Sequence, residues 1–450
     1  MSRFTVPLVG APSAVAFPPV MRRVLGNGLR VWTVQHSAVP VVSIVALANA
    51  GTSADPDQRP GLASLTAALM TEGAGRYDAI ELADALARLG GQLELEASTD
   101  VATLTLSVLA KHFEAGLDLV RDIVQRPRLA ASDFERVRDL RLSRLKQLSQ
   151  TPGAAADRTL LSAVFGDHPY GHGGLGTTRA VEAASLDDVH GFWERRWRPS
   201  SMTLLVAGDL DVSHAATGVE RAFEAWTTSN DPVAAIAPPV PRAARSVLVV
   251  HRPGAPQSEI RVGQLGPPRL TPQYHALVAL NAIVGGQFTS RINRNLREAR
   301  GITYGARSSF DMRRAGGLFA CDSSVQADST SVALAEVLRE LREVGVAGAV
   351  STPELDQARA SLTRGYVRHF ETTSHLARAM TQLATYALDD DTFDRFVPEI
   401  ERLTPADITA AAATCLHADD CALIVAGDLD QVGKDLESLG RGVAETRPEF

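Results

Sequence analysis

The spacing of apolar residues along this chain switches repeatedly between two periods, and each switch marks an element. Val24-Leu25-Gly26-Asn27-Gly28-Leu29-Arg30-Val31 alternates about an Asn-Gly pair, which predicts a hairpin, and residues 41–47 predict a third strand. Over 61–70 and 78–89 the spacing becomes helical, the second stretch stopped by Gly90-Gly91. Leu104, Leu106 and Val108 return to strand alternation, helices dominate 113–196, and an apolar strand at Leu204 closes the segment. Residues 227–242 hold Pro232, Pro238, Pro239 and Pro241, which suit neither element and read as a stiff connector. Beyond them the plan repeats. Strands are predicted at 247–250 and 260–265, helices at 274–284 and 290–300, strands at 304–310 and 317–323, then a long helical stretch and a strand at 423–426.

The repetition is literal in places. Val206-Ala-Gly-Asp-Leu-Asp211 recurs as Val425-Ala-Gly-Asp-Leu-Asp430, and the match extends backward in phase: Asp188-Val189 falls on Asp407-Ile408, Trp197 on Leu416, Leu204-Leu205 on Leu423-Ile424. A looser echo sets Asp133-Phe134 and Arg138 on Glu354-Leu355 and Arg359, two residues out of phase. The chain is therefore read as one unit written twice. The expected division is an extended N-terminal arm (1–20), a first domain (21–228), a Pro-rich linker (229–242) and a homologous second domain (243–450). Strands clustered before runs of helices predict an α+β fold, two homologous α/β sandwich domains in tandem, each a mixed sheet with helices on one face.

Composition narrows the function classes. At 45% hydrophobic and 22% charged, 450 residues can bury two ordinary cores, and a net charge of −7 leaves no electrostatic footprint for nucleic acid or anionic lipid. Cys321, Cys415 and Cys421 follow neither a disulfide framework nor a metal-site spacing and read as packing residues. Pro7, Gly10 and Pro12 break any signal-peptide core, and no window approaches a membrane span, so the expected compartment is the cytoplasm, or the periplasm if a leader has been removed.

Several short motifs, in their order and spacing, carry a resemblance. They are Gly61-Leu62-Ala63, His168-Pro169-Tyr170-Gly171 with Leu175-Gly176, both Gly-Asp strand ends, Phe288-Thr289-Ser290-Arg291, Leu296-Arg297-Glu298 and Gly301-Ile302-Thr303-Tyr304. From about Val24 to Asp430 the chain resembles the insulinase/pitrilysin family of zinc peptidases, in its processing-peptidase branch. The resemblance implies a mitochondrial processing peptidase-like metallohydrolase fold in a clam-shell arrangement. It also implies a His-x-x-Glu-His helix directly after Gly-Leu-Ala, with two histidines on one helix face for zinc, a Glu to activate water, and a distant Glu ligand. Here Ser64 and Ala68 stand at the histidine positions and Ala67 at that of the base. The distant position falls on Arg144, and no acidic residue occurs between Asp139 and Asp157. A cation there opposes a divalent metal. No zinc site of that type, and no cofactor, is expected in this chain.

Other clusters do not substitute. His168 and His172 lie in a Pro- and Gly-bearing loop, and His369, Glu371 and His375 lack ligand spacing, so both groups read as structural or solvent-facing. Gly285-Gly286-Gln287 reads as a helix stop rather than the glycine-rich loop of the mitochondrial non-catalytic subunit, so presequence processing is not implied. Without a Gly-x-Ser-x-Gly elbow, an independent hydrolase ranks last.

What the resemblance retains is an Arg and a Tyr seven residues apart, Arg297 and Tyr304, which in active members reach the scissile peptide. A guanidinium and a phenol can polarise a carbonyl and stabilise its oxyanion. The expectation is a non-zinc subunit of a heterodimeric metallopeptidase, paired with a homologous His-x-x-Glu-His subunit that carries the zinc. Its substrate would be a peptide or unfolded polypeptide, and this pair would face a shared chamber. The alternative is a non-catalytic scaffold or binding protein that keeps the fold.

Overall fold

A computed structural model describes residue 10 and residues 15–227, 235–242 and 246–450. Most of the N-terminal arm and residues 229–234 of the linker lie outside the described residues. The chain forms strands β1 (Met21–Val24), β2 (Arg30–Gln35), β3 (Val41–Ala48), β4 (Gly73–Ala74), β5 (Tyr77–Asp78), β6 (Gln92–Ala97), β7 (Ala102–Leu109) and β8 (Met202–Gly208) in the first half. The second half holds β9 (Ser246–His251), β10 (Gln257–Gly266), β11 (Thr303–Asp311), β12 (Gly317–Gln326), β13 (Ala422–Gly427) and β14 (Gly442–Glu445).

Two six-stranded mixed sheets result, in the orders β1-β2-β8-β3-β7-β6 and β14-β9-β13-β10-β12-β11. Five strands correspond one to one, including the parallel pairs β2 with β8 and β9 with β13. The sixth comes from opposite chain ends: β1 precedes its partner and joins it antiparallel through the Asn27-Gly28 turn, whereas β14 follows everything and pairs parallel. Gly28 takes φ 87, the left-handed conformation that such a turn requires. β6 and β14 escaped the hydrophobic pattern because both are edge strands, with no residue fully buried.

Each sheet is covered on both faces, which corrects the expectation of helices on one. On one face of the first sheet Val42, Ile44, Ala46, Leu204 and Val206 pack on helices of the same half, among them Leu62–Met70 and Phe113–Gln125. On the other, Val34, Val45, Leu205 and Ala207 meet Leu376, Ala377, Met380 and Leu383 from helix Thr373–Tyr386 of the second half. The exchange is reciprocal. Helix Pro152–Phe165 of the first half lays Ala155, Ala156, Leu160 and Val164 on Val250, Ala422, Ile424 and Ala426 of the second sheet. These helices are each 14 residues long and begin 221 positions apart, so they are the two copies of one repeated element, traded between halves.

A polar joint lies between the traded helices. The buried Tyr170 hydroxyl donates to Asp100 Oδ1 (2.5 Å) and accepts from the Ala315 amide, while Asp100 Oδ2 accepts from the Arg314 amide and Arg314 reaches Asn49 and the Thr385 carbonyl. Burial and the adjacent Asp100 carboxylate push the Tyr170 phenol well above its ordinary value, keeping it a donor. Phe17, in the described part of the arm, packs edge-on against Phe370 and at a tilt against Phe393 and donates its amide to Asp394, tying the arm to the second half.

The exchange predicts one cooperative unit. Leu160→Ala and Met380→Ala should each cost about 2–5 kcal/mol and leave a single denaturation transition in which both halves melt together. The halves expressed separately should stay insoluble, each with one apolar sheet face uncovered, and become soluble on co-expression, as read by circular dichroism and size-exclusion chromatography.

Candidate functional site

The first candidate centre is helix Leu62–Met70. Gly61 precedes it at φ 94, in close backbone apposition to Gly176, where a Cβ on either residue would collide with main chain. The Gly-Leu-Ala and Leu-Gly motifs are thus two sides of one contact. Asp55, its side chain almost fully buried, accepts from the amides of Gly61 and Ala63 (2.6 Å each), satisfying two of the orphan donors at the helix start. Burial pushes its carboxyl up to about 7, against those hydrogen bonds and the nearby Arg141 and Arg196.

Along this helix Ser64 and Ala68 face a partly open side, while Ala67 is buried. The Ser64 hydroxyl donates to the Gly174 carbonyl and accepts from Arg141 Nη1, and Arg141 Nη2 donates to the Ser64 carbonyl at 2.9 Å. Arg141 comes from helix Ala131–Ser149 and is 9% exposed. Burial lowers its guanidinium to about 10, with Asp55 opposing the fall, so it remains a cation at neutral pH. Arg144, the residue that spacing set at the distant ligand position, is instead exposed and bonded to Gln147. Arg141, nearly one turn earlier, is the cation that reaches Ser64. A zinc ion does not fit this donor set: one hydroxyl already committed twice, two alanines and a guanidinium offer no thiolate, imidazole or carboxylate.

The histidines seen in sequence have local partners. His168 Nε2 lies 2.8 Å from the Ala237 carbonyl of the linker and its Nδ1 accepts from the Tyr170 amide, while His375 Nδ1 lies 2.9 Å from the Arg368 carbonyl. His172 lies beside Asp55 at 3.8 Å, held below its ordinary pKa by burial. Among the described residues, only His251, Asp428 and Asp430 come together with a metal-like spread of ligand atoms. They serve a helix start: His251 Nδ1 accepts from the Leu429 amide, and Asp428 accepts from Asp430 and Gly254.

The second candidate centre is irregular backbone. Helix Arg291–Asn293 passes into a π-helical turn, Arg294–Ala299, which carries Arg297. Strand β11 opens with a bulge between Thr303 and Ala306, which carries Tyr304. One buried side chain joins them. Asn293 Nδ2 donates to the carbonyls of Gln287 and Ala306, and its Oδ1 accepts from the Ala306 amide, engaging the outer edge of β11 next to the bulge. Sequence reading missed Asn293, although an Asn inside a predicted helix signals a side chain working on backbone. Glu354 pins the same segment from helix Thr352–Thr363 through Arg291 and Arg294. Burial alone would raise its carboxyl, yet Arg291 and Ser351 hold it down to about 2.

Arg297 is 17% exposed, pairs with Glu298 at 2.7 Å, and lies over the Phe288 ring, 3.2 Å from its centroid. Its Nη1 is buried without a hydrogen-bond partner. Tyr304 is 96% exposed, and neither residue lines the cavity between Tyr274 and Tyr386 or the one between Asp55 and Arg158.

Comparison with known proteins accords with this geometry. Residues 30–178 match the family described as insulinase (peptidase family M16), and residues 183–362 match the peptidase M16 inactive domain. An uncharacterised zinc protease of Mycobacterium leprae is 28% identical over 88% of this chain and 89% of its own length, and one of Streptomyces coelicolor is 24% identical over 88% and 87%. Among solved structures, the peptidase M16 inactive domain of Pseudomonas fluorescens superposes with a TM-score of 0.86 at 25% identity, covering 91% of this chain and 98% of that one. A protease from Helicobacter pylori shares the fold, with a TM-score of 0.83 at 17% identity and coverage of 91% and 99%. With two tandem domains of this type, each built on a mixed sheet, the chain belongs to the insulinase (M16) peptidase family.

Proposed function

We propose that this chain is the zinc-less subunit of a two-chain metallopeptidase, completed by a homologous subunit that carries His-x-x-Glu-His and the metal. The observation that carries the reading is an asymmetry. Arg141 is bonded to Ser64, where the resemblance would set a metal ligand, whereas Arg297 and Tyr304 sit on a π-helical turn and a bulge with an orphaned donor and an exposed phenol. Groups so placed gain a role only when a second chain covers them. The traded helices fix the two halves of this subunit to each other, so a clam shell would close between chains.

Extended peptide is the substrate class that the sheets favour. Among the described residues, no hydrogen bond engages the outer backbone groups of β6, which lies beside helix Leu62–Met70, and an added strand can pair there. The corresponding edge of β11 is partly used, by Asn293 at Ala306 and by the Gly285 carbonyl at Ser308. A non-catalytic scaffold is the competing reading, favoured by one fact: Arg297 is already engaged with Glu298 and Phe288.

In the reconstituted complex, Arg297→Ala should lower peptide turnover by about 10²-fold or more with zinc content unchanged, the loss expected for one oxyanion-type donor. Tyr304→Phe should lower it in the same sense, and undiminished turnover in both variants selects the scaffold. For the metal position, elemental analysis should find no stoichiometric zinc in the isolated chain. The triple variant Ser64→His, Ala67→Glu, Ala68→His should remain zinc-poor while Arg141 is present, because the guanidinium occupies the position and repels a dication.

A further inference from the structure

The duplication gives each half the same three-sided position, bounded by the first helix after the opening strands, the sheet's edge strand and a later long helix. In the first half these are Leu62–Met70, β6 and Ala131–Ser149, and Arg141 closes the space. In the second they are Tyr274–Val284, β11 and Thr352–Thr363, and the echo that sets Phe134 on Leu355 sets Arg141 on Leu362. Leucine cannot bridge the gap with hydrogen bonds. A cavity of about 510 Å³ opens there instead, capped by Tyr386 at the end of the traded helix Thr373–Tyr386.

Its polar lining is unbalanced. Arg269 is only 9% exposed, lines the cavity, and lies over the Tyr274 ring at 3.6 Å, yet its guanidinium has no hydrogen bond or ion pair among the described residues. A buried cation without a carboxylate is costly, and native structures rarely leave one so. Asp311, the one carboxylate in the lining, is held by Arg313 at 2.7 Å and does not serve Arg269. The hydroxyls of Tyr274 and Tyr386, also in the lining, make no hydrogen bond within the described chain. The remaining wall sets the apolar Val278, Phe310 and Leu362 among the polar side chains of Asn281, Gln287, Ser361 and Gln382.

We propose that this second-half cavity binds a small carboxylate with an apolar body, the carboxylate held by Arg269 with the phenols of Tyr274 and Tyr386, and the body laid against Val278, Phe310 and Leu362. The volume lies in the range that encloses a small organic ligand, and the guanidinium fork matches a carboxylate in geometry as well as charge. A free acid and the C-terminal residue of a peptide present the same group. The inference does not depend on a zinc-bearing partner.

Calorimetric titration of the purified full chain tests it, with N-acetyl-L-phenylalanine, its C-terminal amide, and a pentapeptide ending in a free phenylalanine carboxylate. The acid should bind saturably, with the amide and Arg269→Gln each weaker by about tenfold or more, as loss of a charge-assisted hydrogen bond implies. Val278→Trp should fill the cavity and abolish binding. Peptide binding as tight as that of the acid assigns the site to chain termini, and exclusion of the peptide assigns it to free acids. No saturable binding by either carboxylate, or equal affinity for acid and amide in the unaltered chain, overturns the proposal, and the second comparison needs no variant to fold.

Discussion

The reciprocal exchange of one helix between halves is the constraint on which the rest of the molecule depends. A six-stranded sheet with two apolar faces cannot be covered by the helices of its own half here, since these all lie on one side. Each half supplies the missing layer of the other, and the buried area of both interfaces stabilises a single arrangement. The polar joint of Tyr170, Asp100 and Arg314 then sets register between the halves, because a buried carboxylate and phenol must find partners or destabilise the fold. Both candidate centres take their shape from this frame. The loop that presents Gly174 to Ser64 follows the Tyr170 motif, and the second-half cavity is roofed by the traded helix.

The same frame holds Arg141 of helix Ala131–Ser149 against helix Leu62–Met70. Arg141 places a positive charge near the buried Asp55 carboxyl and anchors itself twice to Ser64. A guanidinium brings directional donors with its charge, so it can hold the helix to the Ala131–Ser149 segment as well as balance the field. The arrangement is that of a structural cation, internal to the chain. In the second half, where Leu362 falls in the corresponding place, no such closure occurs and a cavity remains.

Much of the fold was legible because the relevant signals are local. The Asn27-Gly28 turn, the alternation at Leu104, Leu106 and Val108, and the glycine after helix Tyr274–Val284 each follow from backbone rules acting over a few residues. The exchange was not read, although a sign of it was present. Leu204-Leu205-Val206-Ala207 and Ala422 to Ala426 are continuous apolar runs, as strands buried on both faces must be, and a sheet with one wet face would have alternated. Periodicity says that a face is covered without saying by which segment. The shift from Arg144 to Arg141 has a related cause: spacing counts residues, but helix phase decides which side chain reaches a neighbour, and residues 141 and 145 point inward where 144 does not.

Arg297 and Tyr304 show where residue identity stops short of site geometry. Their seven-residue spacing was visible, but regular helix and strand would place them differently from the π-helical turn and bulge that occur. Asn293 satisfies the outward-facing backbone groups of Ala306 next to the bulge, so one buried amide ties the helical segment to the strand. A chain that needed only a fold at this point could use an unbroken helix and a straight strand, which retain every ladder bond without help. Two irregularities tied by one side chain thus set, within one short segment, a guanidinium donor without a partner among the described residues and an exposed phenol.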